Sequence, residues 1–499
     1  MKKILSLALS LILLLSLAVP AVTAQAASAD CPTIYVPGFA GSTIYKDKND
    51  PSSTSTYPTV DELLEIVKKD ILPTLFTYIA TGNGDPFAYE FCELVNYIFA
   101  DYFNNPDGTA KGNSGAILRY PSKVSKTAQL TFSYDWRGDP IAIAKDLNDY
   151  IEYVCNTSGA DMVALQCHSL GSVVITTYLK LYGYDRVMGV VFDSAALEGI
   201  TYVGELMCGN SEFAGESLSV GIKGLLGENE YNELISGVLD ILSVAKITDD
   251  AASFLDELVK KTAPILYKET LIPLFGCWPA TWTLTPDKYI NEAMDYVFTN
   301  YCSGEEYDLL KAKVVNYNTE VRPFKKSTLL DFDKNGRVAV IARYGYAGLP
   351  VSPSWTVCSD TVVDVASASF GATVTSFGTS FTDDYLTGKD MSLISPDRTI
   401  DASTCLFPEK TWFIKDIMHA RTDITKPICF DLLFAEEEAT IENSDYAQFM
   451  IYDAKTETVS EDKGEYKAPS EEKETSTLLV KIMKFFTAIF NFFTNLFKK

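Results

Sequence analysis

Between residues 130 and 192 short apolar runs alternate with stretches of helical spacing, and this alternation restricts the fold more than any other feature of the chain. Apolar 130–134 precedes a helix expected over about 141–155, apolar 162–167 precedes a helix over about 171–181, and apolar 187–192 closes the run. Strands separated by helices return to the same edge and pair in parallel, so the expected fold class is α/β with a mostly parallel central sheet. Residues 33–37 form an earlier strand that Gly38 and Gly41 end, and 338–343 and 412–418 restore the strand pattern later. Two helical insertions interrupt it. Thr59 opens a capping box with Glu62, and Val60, Leu63, Leu64, Val67 and Ile71 follow at helical spacing, which makes 59–105 the first. The second, 197–330, has Tyr231, Leu234, Ile235, Val238 and Leu242 on one face and reads as a cap inserted into the sheet.

The two ends differ from this body. Lys2 and Lys3 precede an apolar run over 4–19 and small residues up to Ala26, the pattern of a signal peptide over 1–26. A membrane span would need ~20 apolar residues. A secreted or extracytoplasmic protein is therefore expected, with peripheral attachment to a membrane or cell surface as a further expectation. The main domain is expected over 27–452, followed by an acidic flexible linker over 453–476 without apolar period. In 477–499, Ile482, Phe485, Phe486, Ile489, Phe493 and Leu496 share one face and lysines flank it, as for an amphipathic helix lying in a membrane surface. With 66 acidic against 42 basic residues the formal charge is −24, which argues against a nucleic-acid partner. None of the ten cysteines has the paired short spacing of a metal site. Export permits disulfides without fixing their connectivity, and Cys167 is expected to stay a buried thiol.

Ser169 stands in Cys167-His168-Ser169-Leu170-Gly171, directly after an apolar strand and directly before a helix. A nucleophile elbow needs small residues two before and two after the serine, because its sharp turn brings strand and helix backbones together. Gly171 meets this and Cys167 is larger than the usual residue. As a bare five-residue pattern, Ser169 could equally be a helix N-cap. The strand-turn-helix setting favours a nucleophile, and a serine hydroxyl needs a neighbouring base to take its proton. The chain has two histidines. His168 adjoins the serine and is expected to pack and hydrogen-bond with its side chain turned away, which leaves His419, after the last strand, as the base. The acid that orients it should lie between serine and histidine in chain order. Asp360, in Cys358-Ser359-Asp360-Thr361-Val362, is the first choice and Asp364 the second. The backbone N–H groups of Phe39 and Leu170 are expected to hold the oxyanion of an acyl-transfer intermediate.

Val36-Pro37-Gly38-Phe39-Ala40-Gly41-Ser42, Ser133-Tyr134-Asp135-Trp136-Arg137, His168-Ser169-Leu170-Gly171 and Ser359-Asp360-Thr361-Val362 occur in the order seen in the lecithin:cholesterol acyltransferase-like family, and Ala280-Thr281-Trp282-Thr283-Leu284-Thr285-Pro286 resembles a segment of its cap. The similarity runs over about 31–430. It implies an α/β-hydrolase fold with helical lid and cap insertions, and cleavage or transfer of fatty acyl groups of phospholipids and related lipids. Three departures stand out: Cys167 in the elbow, Ser359 and Thr361 where glycines commonly flank the acid, and a long interval from Asp360 to His419. Asp135 and Arg137 are expected to pair and fix their loop.

Asp331-Phe332-Asp333-Lys334-Asn335-Gly336 begins like a calcium loop, but Ala342 stands where a bidentate glutamate is needed, and a turn into the 338–343 strand explains it better. No metal or cofactor is implied. The function expected is an exported, serine-dependent lipid ester hydrolase or acyltransferase acting on a lipid ester or phospholipid. The alternative is a catalytically silent surface or attachment protein on the same fold.

Overall fold

A computed structural model describes residues 31–55, 58–212, 214, 217 and 247–464. The expected signal peptide, the face built on Tyr231 to Leu242 and the C-terminal helix therefore lie outside the described residues.

Eight strands form one sheet: β1 (Thr33–Val36), β2 (Gln129–Thr131), β3 (Val163–His168), β4 (Val187–Asp193), β5 (Arg337–Tyr344), β6 (Thr411–Lys415), β7 (Phe449–Asp453) and β8 (Thr458–Glu461). Their spatial order is β8-β7-β6-β5-β4-β3-β1-β2, and every neighbouring pair is parallel except β7 with β8. The α/β class expected from the alternation is what the chain adopts. Strands β3, β4 and β5 are almost wholly buried because both sheet faces are covered, which is why they read as continuous apolar runs. Helices α1 (Pro140–Ser158) and α2 (Gly171–Tyr182) cover one face over Leu165, Val190, Phe192 and Val340. Ala164, Val191, Ile341 and Trp412, the alternate positions, face a helix over Thr422–Leu433 on the other side. Asp139 caps α1 by accepting the N–H of Ile141, and Gly159 ends it in the left-handed conformation.

Both helical insertions are present as helices. The first contains Val60–Ile66, Leu72–Thr81 and Asp85–Ile98, and Glu62 accepts the N–H of Thr59 at 2.7 Å while Thr59 Oγ1 accepts that of Glu62 at 3.3 Å. The second begins with α3 (Thr201–Met207) and runs to Lys325–Phe332, with a core of its own around Tyr267, Trp282, Val297 and Phe298. No helix of the described residues is long and apolar enough to cross a membrane.

Two expectations need correction. The strand at 412–418 is shorter, because Asp416 turns into the left-handed conformation at φ 60° and carries the chain off the sheet. The linker does not begin at 453: β7 and β8 form an edge hairpin over 449–461, and the rest of the expected linker lies outside the described residues only after 464. Strand β8 escaped notice because an edge strand with its side chains in water carries little apolar alternation; Val459 alone packs against the core. Asp331 to Gly336 form the expected turn into β5, closed by the N–H of Gly336 on the carbonyl of Phe332.

Candidate active site

Ser169 sits at the carboxyl end of β3 with φ 54°, a conformation that non-glycine residues rarely adopt. Two glycines make room for it. A Cβ on Gly171 would lie 2.2 Å from the carbonyl oxygen of Val36, so the helix after the serine lies against the end of β1. A Cβ on Gly38 would lie 2.6 Å from Ser169 Cβ. The N–H of Ser169 donates to the carbonyl of Asp193 at 3.1 Å, which ties the turn to the end of β4. Cys167 is fully buried, and burial raises its thiol well above the ordinary cysteine range, so it is the inert packed thiol expected. The other buried cysteines, like Cys167, are free thiols.

The residues expected as base and acid arrive from separate loops at the same end of the sheet. His419 follows β6, and its Nδ1 lies 2.6 Å from Asp360 Oδ2. A carboxylate can only accept, so Nδ1 carries the proton and Nε2 of the neutral ring is left as the acceptor. Burial opposes a charge on Asp360, but His419 and the N–H of Val363 hold its carboxyl below the usual range. Asp360 Oδ1 accepts from Val362 at 3.0 Å and Val363 at 2.7 Å, and the carbonyl of Asp360 accepts the N–H of His419 at 2.8 Å. Thr361, between these groups, has φ 86°. A β-branched residue is strained there, and this is the position where the resembled family commonly has glycine.

Asp364 is used elsewhere. Its Oδ2 accepts the N–H of Thr201 at 2.9 Å and the Thr201 hydroxyl at 2.5 Å, which fastens α3 of the second insertion to the acid loop. Burial pushes its carboxyl up to about 6 against the pull of Thr201. The structure thus brings Asp360, not Asp364, to His419.

Among the described residues no hydrogen bond joins Ser169 Oγ to His419 Nε2. The His419 ring packs instead against that of His168, with centroids 4.3 Å apart. His168 is buried, and burial, then His419, push it well below the ordinary histidine value, so it is neutral. It packs as expected but is not fully hydrogen-bonded: its Nε2 has no partner among the described residues. A loose serine–histidine pair is common without substrate and tightens in the reacting complex.

Neither the N–H of Phe39 nor that of Leu170 donates to any group among the described residues. The loop of Phe39 is held from outside: the hydroxyl of Tyr134 donates to the carbonyl of Pro37 at 2.6 Å and the indole of Trp136 to the carbonyl of Ser42 at 3.0 Å. The Phe39 ring rests on Trp136 and Trp278 at 4.3 and 5.6 Å. Asp135 and Arg137 pair through two bonds of 2.9 and 2.6 Å, as expected of that motif.

Arg343 and Asp193 are the charged residues at this site that the sequence reading passed over. They form an ion pair behind Ser169 and His419, with Arg343 fully buried and Asp193 nearly so. A signal existed: an arginine inside the apolar run Val338 to Tyr344 and an aspartate closing Val190-Val191-Phe192 are charges that a buried sheet tolerates only in pairs.

No family model and no curated protein matches the chain. Among solved structures, a chain of the Tle4–Tli4 complex aligns at 19% identity over 36% of this chain and 48% of that one, with a TM-score of 0.20. The chain spans about half the length of that neighbour, and a likeness at this score carries no argument about fold or activity.

Proposed function

We propose that the chain is a serine carboxylic-ester hydrolase or acyltransferase of the α/β-hydrolase type, acting on lipid esters. The observation that carries this reading is the assembly, at one end of the sheet, of an elbow serine in a left-handed turn, a histidine bonded to a buried aspartate, and two unused backbone N–H groups after β1 and after the serine. In this mechanism Ser169 attacks the ester carbonyl and His419 takes its proton, then returns it to the leaving alcohol. Asp360 keeps the ring oriented and stabilises the imidazolium. The N–H groups of Phe39 and Leu170 receive the oxyanion. Water or a second alcohol then removes the acyl group from the serine.

The lipid class rests on the family resemblance of the four motifs and on the helical insertions beside the site, which would supply an apolar acyl pocket. Export and attachment of the tail to a membrane surface belong to the same reading. The test is to incubate the full chain with mixed phospholipids, acylglycerols and a sterol and to identify products by mass spectrometry. Free fatty acid alone defines a hydrolase, and new esters define an acyltransferase. No acyl product from any of these lipids would remove the lipid assignment.

A further inference from the structure

Ser169 and His419 reach the site from different strands, and one buried ion pair spans the interval between them. Asp193 ends β4, and its carbonyl accepts the N–H of Ser169. Its carboxylate receives two bonds from Arg343 near the end of β5, Nε to Oδ1 at 2.9 Å and Nη2 to Oδ2. The other donors of Arg343 point toward the histidine loop. Nη1 donates to the carbonyls of Met418 at 3.0 Å and His419 at 2.8 Å, and Nη2 donates to Thr425 Oγ1 at 2.7 Å. The Thr425 hydroxyl in turn donates to Asp193 Oδ2 at 2.6 Å. All five guanidinium N–H groups are used.

Such a pair is an expensive way to stabilise a core. Removing two charges from water costs several kcal/mol per ion, and well-packed apolar residues often do as well or better. What apolar residues cannot do is fix backbone carbonyls at a set distance from a second loop. The planar, five-donor fork of arginine does this, and the single ammonium of lysine does not. The carbonyls it holds belong to the base itself and to the residue before it. The carboxylate it is anchored on belongs to the residue that holds the nucleophile.

We propose that Arg343, anchored on Asp193, is a positioning residue that sets the spacing between the Ser169 elbow and the His419 loop. This inference rests on the serine-hydrolase reading above and adds a residue to it. Because Arg343 acts through backbone carbonyls, its loss displaces the imidazole without removing any group that touches substrate, so the rate falls and ground-state binding does not. A misplacement of roughly 1 Å at reacting groups costs on the order of 10²-fold.

The experiment uses the full chain, a fluorophosphonate probe and a p-nitrophenyl ester, with thermal melting recorded for each variant. Arg343→Lys is expected to lower kcat by about 10- to 100-fold with KM within about twofold. Thr425→Val removes a member of the cluster and leaves both carbonyl bonds in place. It is expected to melt lower and keep kcat within about threefold, the split that positioning requires and general loosening does not produce. Should Arg343→Lys fail to fold, Asp193→Asn makes the same comparison, with the same fall in kcat expected. The inference is overturned if a folded Arg343→Lys or Asp193→Asn keeps wild-type kcat, or if Thr425→Val loses kcat by the same factor. Absence of Ser169-dependent labelling in the wild type is a different result: it removes the hydrolase reading, and the inference falls with it.

Discussion

Gly38→Ala gives the sharpest structural prediction, because the added methyl would meet Ser169, the proposed nucleophile. Its Cβ would stand 2.6 Å from Ser169 Cβ and 3.0 Å from the carbonyl oxygen of His168, where ordinary contacts begin at 3.4 Å. Neither neighbour is the end of a flexible side chain. The carbonyl is backbone, and Ser169 Cβ is fixed by a turn whose N–H is bonded to Asp193. Relief therefore has to come from moving the elbow or the Pro37–Gly41 loop, and either motion carries Ser169 away from the N–H of Phe39. A displacement approaching 1 Å lowers reactivity by about 10²-fold, equivalent to about 2.7 kcal/mol in the barrier, while overpacking costs about 1–3 kcal/mol of stability. Fluorophosphonate labelling rates and thermal melting of the purified chain measure both. Labelling within threefold of wild type with an unchanged melting temperature would refute the reasoning, since the space would then not be limiting. Gly171→Ala meets Val36 oxygen at 2.2 Å, with only backbone to yield, and is expected to cost more stability than Gly38→Ala.

Three further outcomes are expected. The carboxyl of Asp364, raised by burial to about 6, binds its proton more tightly folded than unfolded, so its contribution is complete in acid and is lost as pH rises from about 4 to about 6, by up to roughly 3 kcal/mol. Asp364→Asn should then match wild type near pH 4 and exceed it at pH 7 in urea melts, and an equal difference at both values would dispose of the argument. Thr361→Gly should raise stability by about 1 kcal/mol, because φ 86° is strained for threonine and open to glycine; a lower melting temperature would show that the threonine is not strained. A chain ending at Ser476 should lose binding to anionic liposomes in co-sedimentation, and equal partitioning of both lengths would remove the membrane role of the tail.

What the sequence disclosed depended on how local each feature was. The elbow was legible because strand, serine, Gly171 and helix follow one another within a few residues and each constrains the next. The strands β3, β4 and β5 were legible because burial on both faces leaves an unbroken apolar run. The choice between Asp360 and Asp364 was not, since both stand in one short loop. It turns on partners far away in the chain, His419 for one and Thr201 for the other. The Asp193–Arg343 pair lay hidden for a related reason. Asp193 closes one apolar run and Arg343 lies inside another, so the sequence marks each as a charge needing a partner, and only the adjacency of β4 and β5 says that the partner is the other. Strand β8 lacked even that signal, because side chains facing water need no pattern.

The central claim is that Ser169 is a nucleophile activated by His419, and one measurement addresses it most directly. The wild-type chain, Ser169→Ala, His419→Ala and Asp360→Asn are incubated with a fluorophosphonate, and the labelled peptide is located by mass spectrometry, with folding confirmed for each variant. The account predicts adduct on Ser169 in the wild type, none in Ser169→Ala, and labelling slowed by several orders of magnitude in His419→Ala, since His168 is buried and neutral beside it and cannot replace the base. Asp360→Asn should also be strongly slowed, because asparagine cannot hold the ring in the required tautomer. Wild-type labelling rates in a folded His419→Ala, or an adduct on any residue other than Ser169, would contradict it.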